Sequence, residues 1–306
     1  MIMTVTLNPA LDVTYAVEEL VRGREHRVGQ VGARAGGKGI NVARVLADLG
    51  QPVRATGLLG GRTGEQIGAE LSASRVDARF VAVAGESRRT IAVVDGGGAT
   101  GLWEPGPTVT EAEWRSFVEA FVDLLDGVDV VVFAGSLPPG IPADAYAELT
   151  RLARRAGAQV ILDADGRPLA EGLRAEPDVV KPNRSELAGV TGQPVTSAAR
   201  ALNAARRLRA AAHTAVVATL GADGLVASTV DGDWRATTGV VSGNPTGAGD
   251  ACAAALAQGL RADRAWPDRL AEAAAVAAAA VRAPVAGMVD PAEVRRWRGT
   301  VVVAEA

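Results

Sequence analysis

Cysteine and histidine are almost absent from this sequence of 306 residues, which contains one cysteine and two histidines. The single cysteine, Cys252, excludes a framework of internal disulfide bonds and is typical of a reducing compartment. His26 and His213 alone give little support to a histidine-based zinc site or to a Ser–His–Asp triad. The composition therefore does not favour hydrolytic chemistry that depends on histidine.

Clustered positive charge and long apolar stretches are lacking as well. The formal net charge is −3 and no basic run is present, so nothing in the composition favours nucleic-acid binding. No secretion signal is evident, and the alanine-rich stretch 271–281 is too short for a membrane span and contains Glu272. We therefore expect a cytoplasmic protein that binds neither nucleic acid nor a membrane.

Glycine, in contrast, is abundant, and the stretch 243–256 begins as a glycine-rich turn that runs directly into an alanine-rich segment. Gly247 and Gly249 allow backbone angles that other residues avoid, and the alanines that follow predict a helix. The first N–H groups of such a helix have no partner within it and can bind an anion. Asp250 stands beside them as a candidate base, although it could equally cap the helix or interact with its dipole.

Strands and helices alternate along the chain, which predicts an α/β sheet with helices on both faces. The apolar run Val128–Phe133 is typical of a buried parallel strand. No linker or repeat divides residues 1–306, so we expect one domain, with a small β-rich appendage from parts of 10–34 and 80–104. Gly96–Gly101 matches G-x-G-x-x-G but opens no helix, which indicates a hairpin turn and not a dinucleotide site.

Polar loops follow several of the predicted strands, and such loops meet at one edge of an open parallel sheet. Asn183 and Glu186 lie three residues apart, on one face of a helical turn that could hold water around Mg²⁺. Each loop also has a plainer explanation: Asp12 could cap a turn, and Glu186 could simply stabilise the start of its helix. The segment Gly36–Gly39 is not a P-loop, but its three glycines and Lys38 precede a predicted helix and could cradle hydroxyls or a phosphate.

Together these segments resemble the PfkB branch of the ribokinase-like sugar kinases, most of all the tagatose-6-phosphate kinase and 1-phosphofructokinase group. The resemblance covers essentially the whole chain and is carried by Thr4–Asp12, Ala35–Arg44, Gly135–Gly140, Lys181–Glu186 and Asn244–Asp250. It implies a three-layer α/β sandwich with a mainly parallel central sheet and a small β-sheet lid. Relatives often pair through such lids, which implies a homodimer.

The resemblance also implies the roles of individual residues. Asp250 corresponds to the catalytic base, and the N–H groups of Gly247, Ala248 and Gly249 to the donors that stabilise the transferring phosphoryl group. The positions that correspond to the sugar site are Asp12, Gly36, Gly37 and Asn41. Those that correspond to contacts with the phosphate of the sugar are Lys38, Arg88 and, less directly, Arg27. The positions that correspond to the ATP site are Asn183 and Glu186, which organise Mg²⁺ through water, and Thr219, Gly221 and Gly224.

The expected activity is ATP- and Mg²⁺-dependent phosphorylation of a ketohexose phosphate, such as tagatose 6-phosphate or fructose 1-phosphate, to the bisphosphate. One alternative keeps the fold but takes a free hexose or a nucleoside. A second alternative is a non-catalytic sugar-phosphate sensor, and a third, a nicotinamide oxidoreductase, rests only on the hairpin glycines. The sequence departs from the family's pattern at Val281–Gly287, which lacks an asparagine frequent in the adenine pocket, and at Thr246, where valine is frequent.

Overall fold

The computed structural model describes the whole chain, Met1 to Ala306, and its strands form two separate sheets. In chain order the strands are β1 (Ile2–Thr6), β2 (Ala10–Ala16), β3 (Gln30–Gly36), β4 (Val53–Leu59), β5 (Asp77–Ala82), β6 (Arg88–Asp95), β7 (Gly98–Trp103), β8 (Val130–Ala134), β9 (Gln159–Asp163), β10 (Val179–Val180), β11 (Ala215–Thr219), β12 (Leu225–Thr229), β13 (Gly232–Thr237) and β14 (Val302–Glu305). The large sheet has the order β14-β13-β12-β11-β10-β9-β8-β1-β4-β5, and the small sheet, here called the lid, has the order β3-β2-β6-β7.

The centre of the large sheet is parallel and fully buried. All strand pairs from β11 to β5 run parallel, and β12, β13 and β14 extend the β11 edge in antiparallel fashion. Every residue of β1 and β8 is buried, as expected for strands covered on both faces, which explains the continuous apolar run of the sequence there. The parallel register points the carboxyl ends of these strands toward one edge.

Helices cover both faces of the large sheet. They are α1 (Lys38–Asp48), α2 (Gly61–Ser72), α3 (Glu111–Leu124), α4 (Ala145–Arg155), α5 (Gly166–Gly172), α6 (Arg184–Thr191), α7 (Ala198–Ala212), α8 (Ala248–Arg261), α9 (Trp266–Arg282) and α10 (Pro291–Arg298). One face packs against α1, α8 and α9 around 36 buried apolar residues, and the other packs against α3, α4 and α7 around 35. Because the two cores are of nearly equal size, the sheet is the middle of three layers, which confirms the predicted fold class.

Helix α8 carries the alanine-rich segment and lies in the interior. Residues 250–257 are all buried, and the small side chains let α8 pack closely against α9 and α1. Cys252 is 1% exposed, and burial raises the pKa of its thiol to about 12, so it behaves as a small apolar residue without thiolate reactivity.

Two C-terminal elements, α10 and β14, were not predicted from the sequence. Helix α10 buries only Val294 and carries three arginines in its last turn, so its apolar periodicity is weak. Asp290 before Pro291 is a helix-start signal, and the Asp290 side chain does accept from the Ala292 N–H at 2.8 Å. Strand β14 pairs with β13 and forms the edge of the large sheet.

The lid is a four-stranded sheet whose two faces have different roles. Leu11 and Val13 of β2 face α2 and pack with Ile67 and Leu71 in a third apolar cluster. Residues of the opposite face, among them Asp12 and its register partner on β6, Thr90, lie toward the strand ends of the large sheet. The predicted hairpin turn at Gly96–Gly101 is shorter in the structure: residues 96 and 97 form the turn between β6 and β7, and residues 98–101 belong to β7. None of the ten helices has the length and hydropathy needed to cross a membrane.

Candidate active site

The loops singled out from the sequence meet where the parallel strands of the large sheet end, beneath the lid. Strands β1, β8, β9 and β10 end there, and the first turns of α1, α6 and α8 begin there. Side chains separated by more than 120 residues in sequence are joined by hydrogen bonds in this region, including Lys38 with Asp163 and Asn41 with Asp250. The cleft therefore brings together the segments that the sequence analysis placed at one edge of the sheet.

Asp250 lies in the first turn of α8, and its side chain is buried. Gly247 precedes the helix with a φ of 84°, a left-handed conformation that favours glycine. The Asp250 Oδ2 accepts a hydrogen bond of 2.8 Å from the Asn41 Nδ2. Burial, with the nearby charge of Asp163, raises the pKa of Asp250 to about 7, against the opposing influence of Asn41, Lys38 and Lys181. A carboxylate poised near neutral pH is suited to taking up a proton.

Of the three N–H groups at the start of α8 that were predicted to stabilise the phosphoryl group, the one of Ala248 already has a hydrogen-bond partner within the turn. The Ala248 N–H donates to the Pro245 carbonyl at 3.2 Å and so closes the turn before the helix. Asn244 supports the same turn, because its Oδ1 accepts from the Thr246 N–H at 3.0 Å. Gly247 fits against the segment that follows α9, since a Cβ there would approach Ala286 to 2.9 Å.

A network of buried charges lies beside Asp250. Asp163, at the end of β9 and 1% exposed, has Oδ2 at 3.0 Å from the Lys181 Nζ and Oδ1 at 3.2 Å from the Lys38 Nζ. Burial alone would raise the pKa of Asp163, but the ammonium groups of Lys181 and Lys38 hold it below its usual value. Lys38 is shared, because its Nζ also lies 3.4 Å from the Glu186 Oε1.

Asp163 and Lys181 were not among the residues predicted for the site. The signals were present but weak: Asp163 ends an apolar strand at the same sheet edge as the other loops, and Lys181 directly precedes the Asn183 loop. Burial by itself would lower the pKa of Lys181, but the negative charge of Asp163 outweighs this effect and raises the pKa of Lys181. The ion pair therefore persists at neutral pH.

The predicted sugar-site residues form a second group under the lid. The Asp12 carboxylate accepts from the Thr90 hydroxyl, and burial raises the pKa of Asp12. Gly36 is required there because a Cβ would collide with this carboxylate. Arg88 donates to the Asn8 carbonyl at 3.1 Å and lines, with Lys38, a cavity of about 240 Å³. The other residues that line this cavity are Thr6, Asn8, Thr90, Trp103, Gly135, Ser136 and Asp165.

Two predicted sugar-site residues have different surroundings from the rest. Asn41 is buried and turned toward Asp250, so in this structure it orients the candidate base. Arg27 is exposed in the segment between β2 and β3 and forms no hydrogen bond or ion pair. Of the three cationic residues predicted for the sugar site, Arg88 and Lys38 therefore line the cavity and Arg27 does not.

Asn183 and Glu186 form a capping box at the start of α6, which is the plainer of the two roles foreseen for Glu186. The Asn183 Oδ1 accepts from the N–H groups of Ser185 and Glu186, both at 2.9 Å, and the Glu186 Oε2 accepts from the Asn183 N–H at 2.7 Å. No three acidic, histidine or cysteine side chains are grouped closely enough to hold a metal ion directly. The Glu186 Oε1 lies outside the capping box and could accept from a water molecule of a hydrated Mg²⁺, since this ion retains much of its hydration shell.

The predicted nucleotide residues lie next to this capping box. Thr219 forms a parallel bridge with Asn183. Gly221 has a φ of 65° and open space around its Cα, whereas a Cβ at Gly224 would collide with the carbonyl of Ala236. Arg184 fixes the turn between them through an ion pair of 2.6 Å with Asp223. Gly224 is thus required by packing, and Gly221 leaves a surface free for a flat ligand.

Replacing Asp250 by asparagine should stabilise the protein at pH 8. Folding raises the pKa of Asp250 from 3.8 to about 7, because burial favours the protonated carboxyl group. Below pH 3.8 this group is protonated in both states and its burial costs no stability; the stability is lost as the pH rises through 7 and the folded protein must bury the charged form. Asparagine removes the buried charge, so we expect a gain of about 2–4 kcal/mol in unfolding free energy at pH 8 that vanishes near pH 4. Urea unfolding at both pH values measures it, with the exposed Asp126→Asn as control; no gain at pH 8 would contradict it.

Comparison with known proteins agrees with this fold. A family model described as pfkB family carbohydrate kinase matches residues 5–292. A possible 1-phosphofructokinase from Thermotoga maritima is 30% identical, with a TM-score of 0.90 over 100% of this chain and 99% of its own. Phosphofructokinase-2 from Escherichia coli, in complex with fructose-6-phosphate, is 25% identical, with a TM-score of 0.89 over 97% of this chain and 98% of its own.

A more distant structure shares the fold. Ribokinase from Arabidopsis thaliana, complexed with ribose and ATP, is 21% identical, with a TM-score of 0.78 over 97% of this chain and 98% of its own. The three-layer sandwich with its lid is therefore common to proteins that differ widely in sequence.

Proposed function

Because the chain belongs to the pfkB family of carbohydrate kinases, we propose that it transfers the γ-phosphate of ATP to a ketohexose phosphate. Tagatose 6-phosphate and fructose 1-phosphate are the substrates that the sequence resemblance favours, and the product is the bisphosphate. The observation that carries the proposal is the buried Asp250 at the start of α8, with a pKa near 7 and with Lys38 nearby, which lines a cavity together with Arg88.

In the proposed mechanism Asp250 is the general base. A sugar hydroxyl directed at the Asp250 carboxylate loses its proton to it while the hydroxyl oxygen forms a bond to the γ-phosphorus and the bond to ADP breaks. Backbone N–H groups at the start of α8 stabilise the charge on the transferring group, together with the dipole of the helix. Asn41 keeps the carboxylate in place through its 2.8 Å hydrogen bond.

The remaining residues of the site bind and orient. Asp12 accepts hydrogen bonds from sugar hydroxyls, and Gly36 and Gly37 let the backbone approach the side chains of Asp12 and Thr6 closely. Thr219, Gly221 and Gly224 take part in the nucleotide site. Asn183 and Glu186 would hold Mg²⁺ through water, and the ion supplies positive charge that offsets the phosphates of ATP. The lid excludes water from the site, which limits hydrolysis of ATP.

The pH dependence of turnover tests Asp250 as the base. Since only the carboxylate accepts a proton, kcat should rise with pH and level off above about pH 7. Asn41→Ala removes a hydrogen bond that lowers the pKa of Asp250, so the rise should shift to higher pH. Asn203→Ala on the exposed side of α7 is the control and leaves the profile in place. Asp250→Asn should lose about 10²–10⁴-fold in kcat, and a variant with undiminished phosphoryl transfer would rule out this mechanism.

Arg88 is the proposed contact for the phosphate that the substrate already carries. Arg88→Gln should raise the KM for a sugar phosphate by about 10- to 100-fold, the value of a charge-assisted hydrogen bond, and leave the KM for a neutral sugar unchanged. The adjacent Arg89→Gln is the matched control, because Arg89 is exposed on the other face of the lid. A screen of phosphorylated and free sugars with ATP, monitored by ADP release, identifies the substrate. If Arg88→Gln raises the KM for phosphorylated and for neutral sugars equally, the result would instead favour a free hexose or a nucleoside as the substrate.

A homodimer through the lid is part of the proposal. Val31 and Leu102 are 61% and 58% exposed and, by strand register, lie on one face of the lid with Tyr15 and Val93. A second copy of this face would cover these apolar side chains. Sedimentation equilibrium should therefore give twice the mass of one chain, and Leu102→Asp should give the monomer. A wild-type protein that sediments as a monomer at micromolar concentration would exclude this assembly.

A further inference from the structure

Two charged side chains outside the proposed site fix the lid strand β3 directly before Gly36. Glu70 of α2 accepts a hydrogen bond of 2.6 Å from the Ala35 N–H. Arg44 of α1, whose side chain is 8% exposed, donates to the carbonyl of Ala35 and also to the Glu70 carboxylate. Both backbone groups of Ala35 are thus held, and with them the position of Gly36 against the Asp12 carboxylate.

Arg34 extends this arrangement across the cleft. Its Nε lies 3.9 Å from the Glu70 Oε1, and its Nη1 donates a hydrogen bond of 2.9 Å to the carbonyl of Ala286. Ala286 belongs to the segment 283–287 that follows α9, which is 252 residues away from Arg34 in sequence. This is the one hydrogen bond that joins the lid to that segment.

The segment that Arg34 holds is packed against the phosphoryl-transfer residues. A Cβ at Gly247 would lie 2.9 Å from the Ala286 Cβ, and a Cβ at Gly287 would lie 2.8 Å from the Asn41 Oδ1. Asn41 in turn donates to Asp250. Ala286 and Gly287 therefore touch both the turn that begins α8 and the residue that orients the candidate base, with no space to shift independently of either.

We propose that Arg34 is a positioning residue, which couples the sugar-binding side of the cleft to the turn around Gly247 and Asp250. The lid strand, Arg34, the Ala286 carbonyl and the Gly247 turn form one continuous series of contacts. A sugar that draws the lid inward also fixes the 283–287 segment, and an ATP phosphate that orders the Gly247 turn fixes the lid through the same contact. The two substrates then bind cooperatively, each strengthening the binding of the other by the same factor.

The first test needs no substrate. Arg34→Gln loses the charged donor, so the hydrogen-bonded amides on either side of the contact, those of Ala248, Ala251, Ala283 and Val289, should exchange with deuterium at least about tenfold faster in the free protein. Arg89→Gln, on the opposite face of the lid, should not change them. Arg34→Lys keeps a charged donor and should restore most of the protection. Unchanged exchange in Arg34→Gln, at a melting temperature equal to that of wild type, would overturn the proposal, and so would acceleration spread evenly over the whole chain.

The second test rests on the proposed function and measures the coupling itself. Sugar-phosphate affinity is determined by calorimetry without and with saturating non-hydrolysable ATP analogue and Mg²⁺. In wild type the analogue should tighten sugar binding by about fivefold or more; in Arg34→Gln this factor should fall to nearly one while each binary affinity stays within about twofold. Coupling that survives in Arg34→Gln, or a binary affinity lost with it, would refute the positioning role. Wild type that binds no sugar phosphate at all would refute the proposed substrate class and leave the exchange test to decide on Arg34.

Discussion

The carboxylate of Asp163 is the interaction on which the arrangement of the site depends. It lies between the ammonium groups of Lys181 and Lys38, at 3.0 and 3.2 Å, in a place where an unpaired charge could not stay ionised. Because Lys38 also reaches Glu186, one set of ion pairs joins the ends of β9 and β10 to the first turns of α1 and α6. The same charges surround Asp250, so the network that holds the sheet edge together also sets the proton affinity of the candidate base.

Around this network the cleft has two parts, the proposed sugar side and the proposed phosphate side, which meet at α1. The sugar side is built from the lid, where Asp12 and Gly36 are in contact, and the phosphate side from the turn at Gly247. Helix α1 serves both, because Lys38 at its start faces the ion pairs and Asn41, one turn later, faces Asp250. A single rigid helix therefore fixes the distance between the parts of the cleft, which suits a reaction that depends on alignment.

The sequence predicted those features that local chemistry encodes. Glycine spacing and the alanine run were enough to place a turn and a helix at 243–256, and apolar runs were enough for the parallel strands. It did not predict α10, whose buried side is one valine, nor Asp163 and Lys181, whose significance lies in their pairing. Asn41 has its partner 209 residues away, and no local pattern specifies such a contact. Long-range pairs of this kind follow from the topology, which decides which strand ends become neighbours.

The burial of Cys252 makes the protein unusually easy to label at one chosen point. Its thiol is the only one in the chain, lies inside α8 and has a pKa raised to about 12, so maleimide or iodoacetamide reagents should leave the folded protein unmodified. A cysteine introduced on the exposed hairpin at Gly97 would then carry a fluorophore or spin label alone. Distances from such a probe would report directly on how far the lid moves when the cleft is filled.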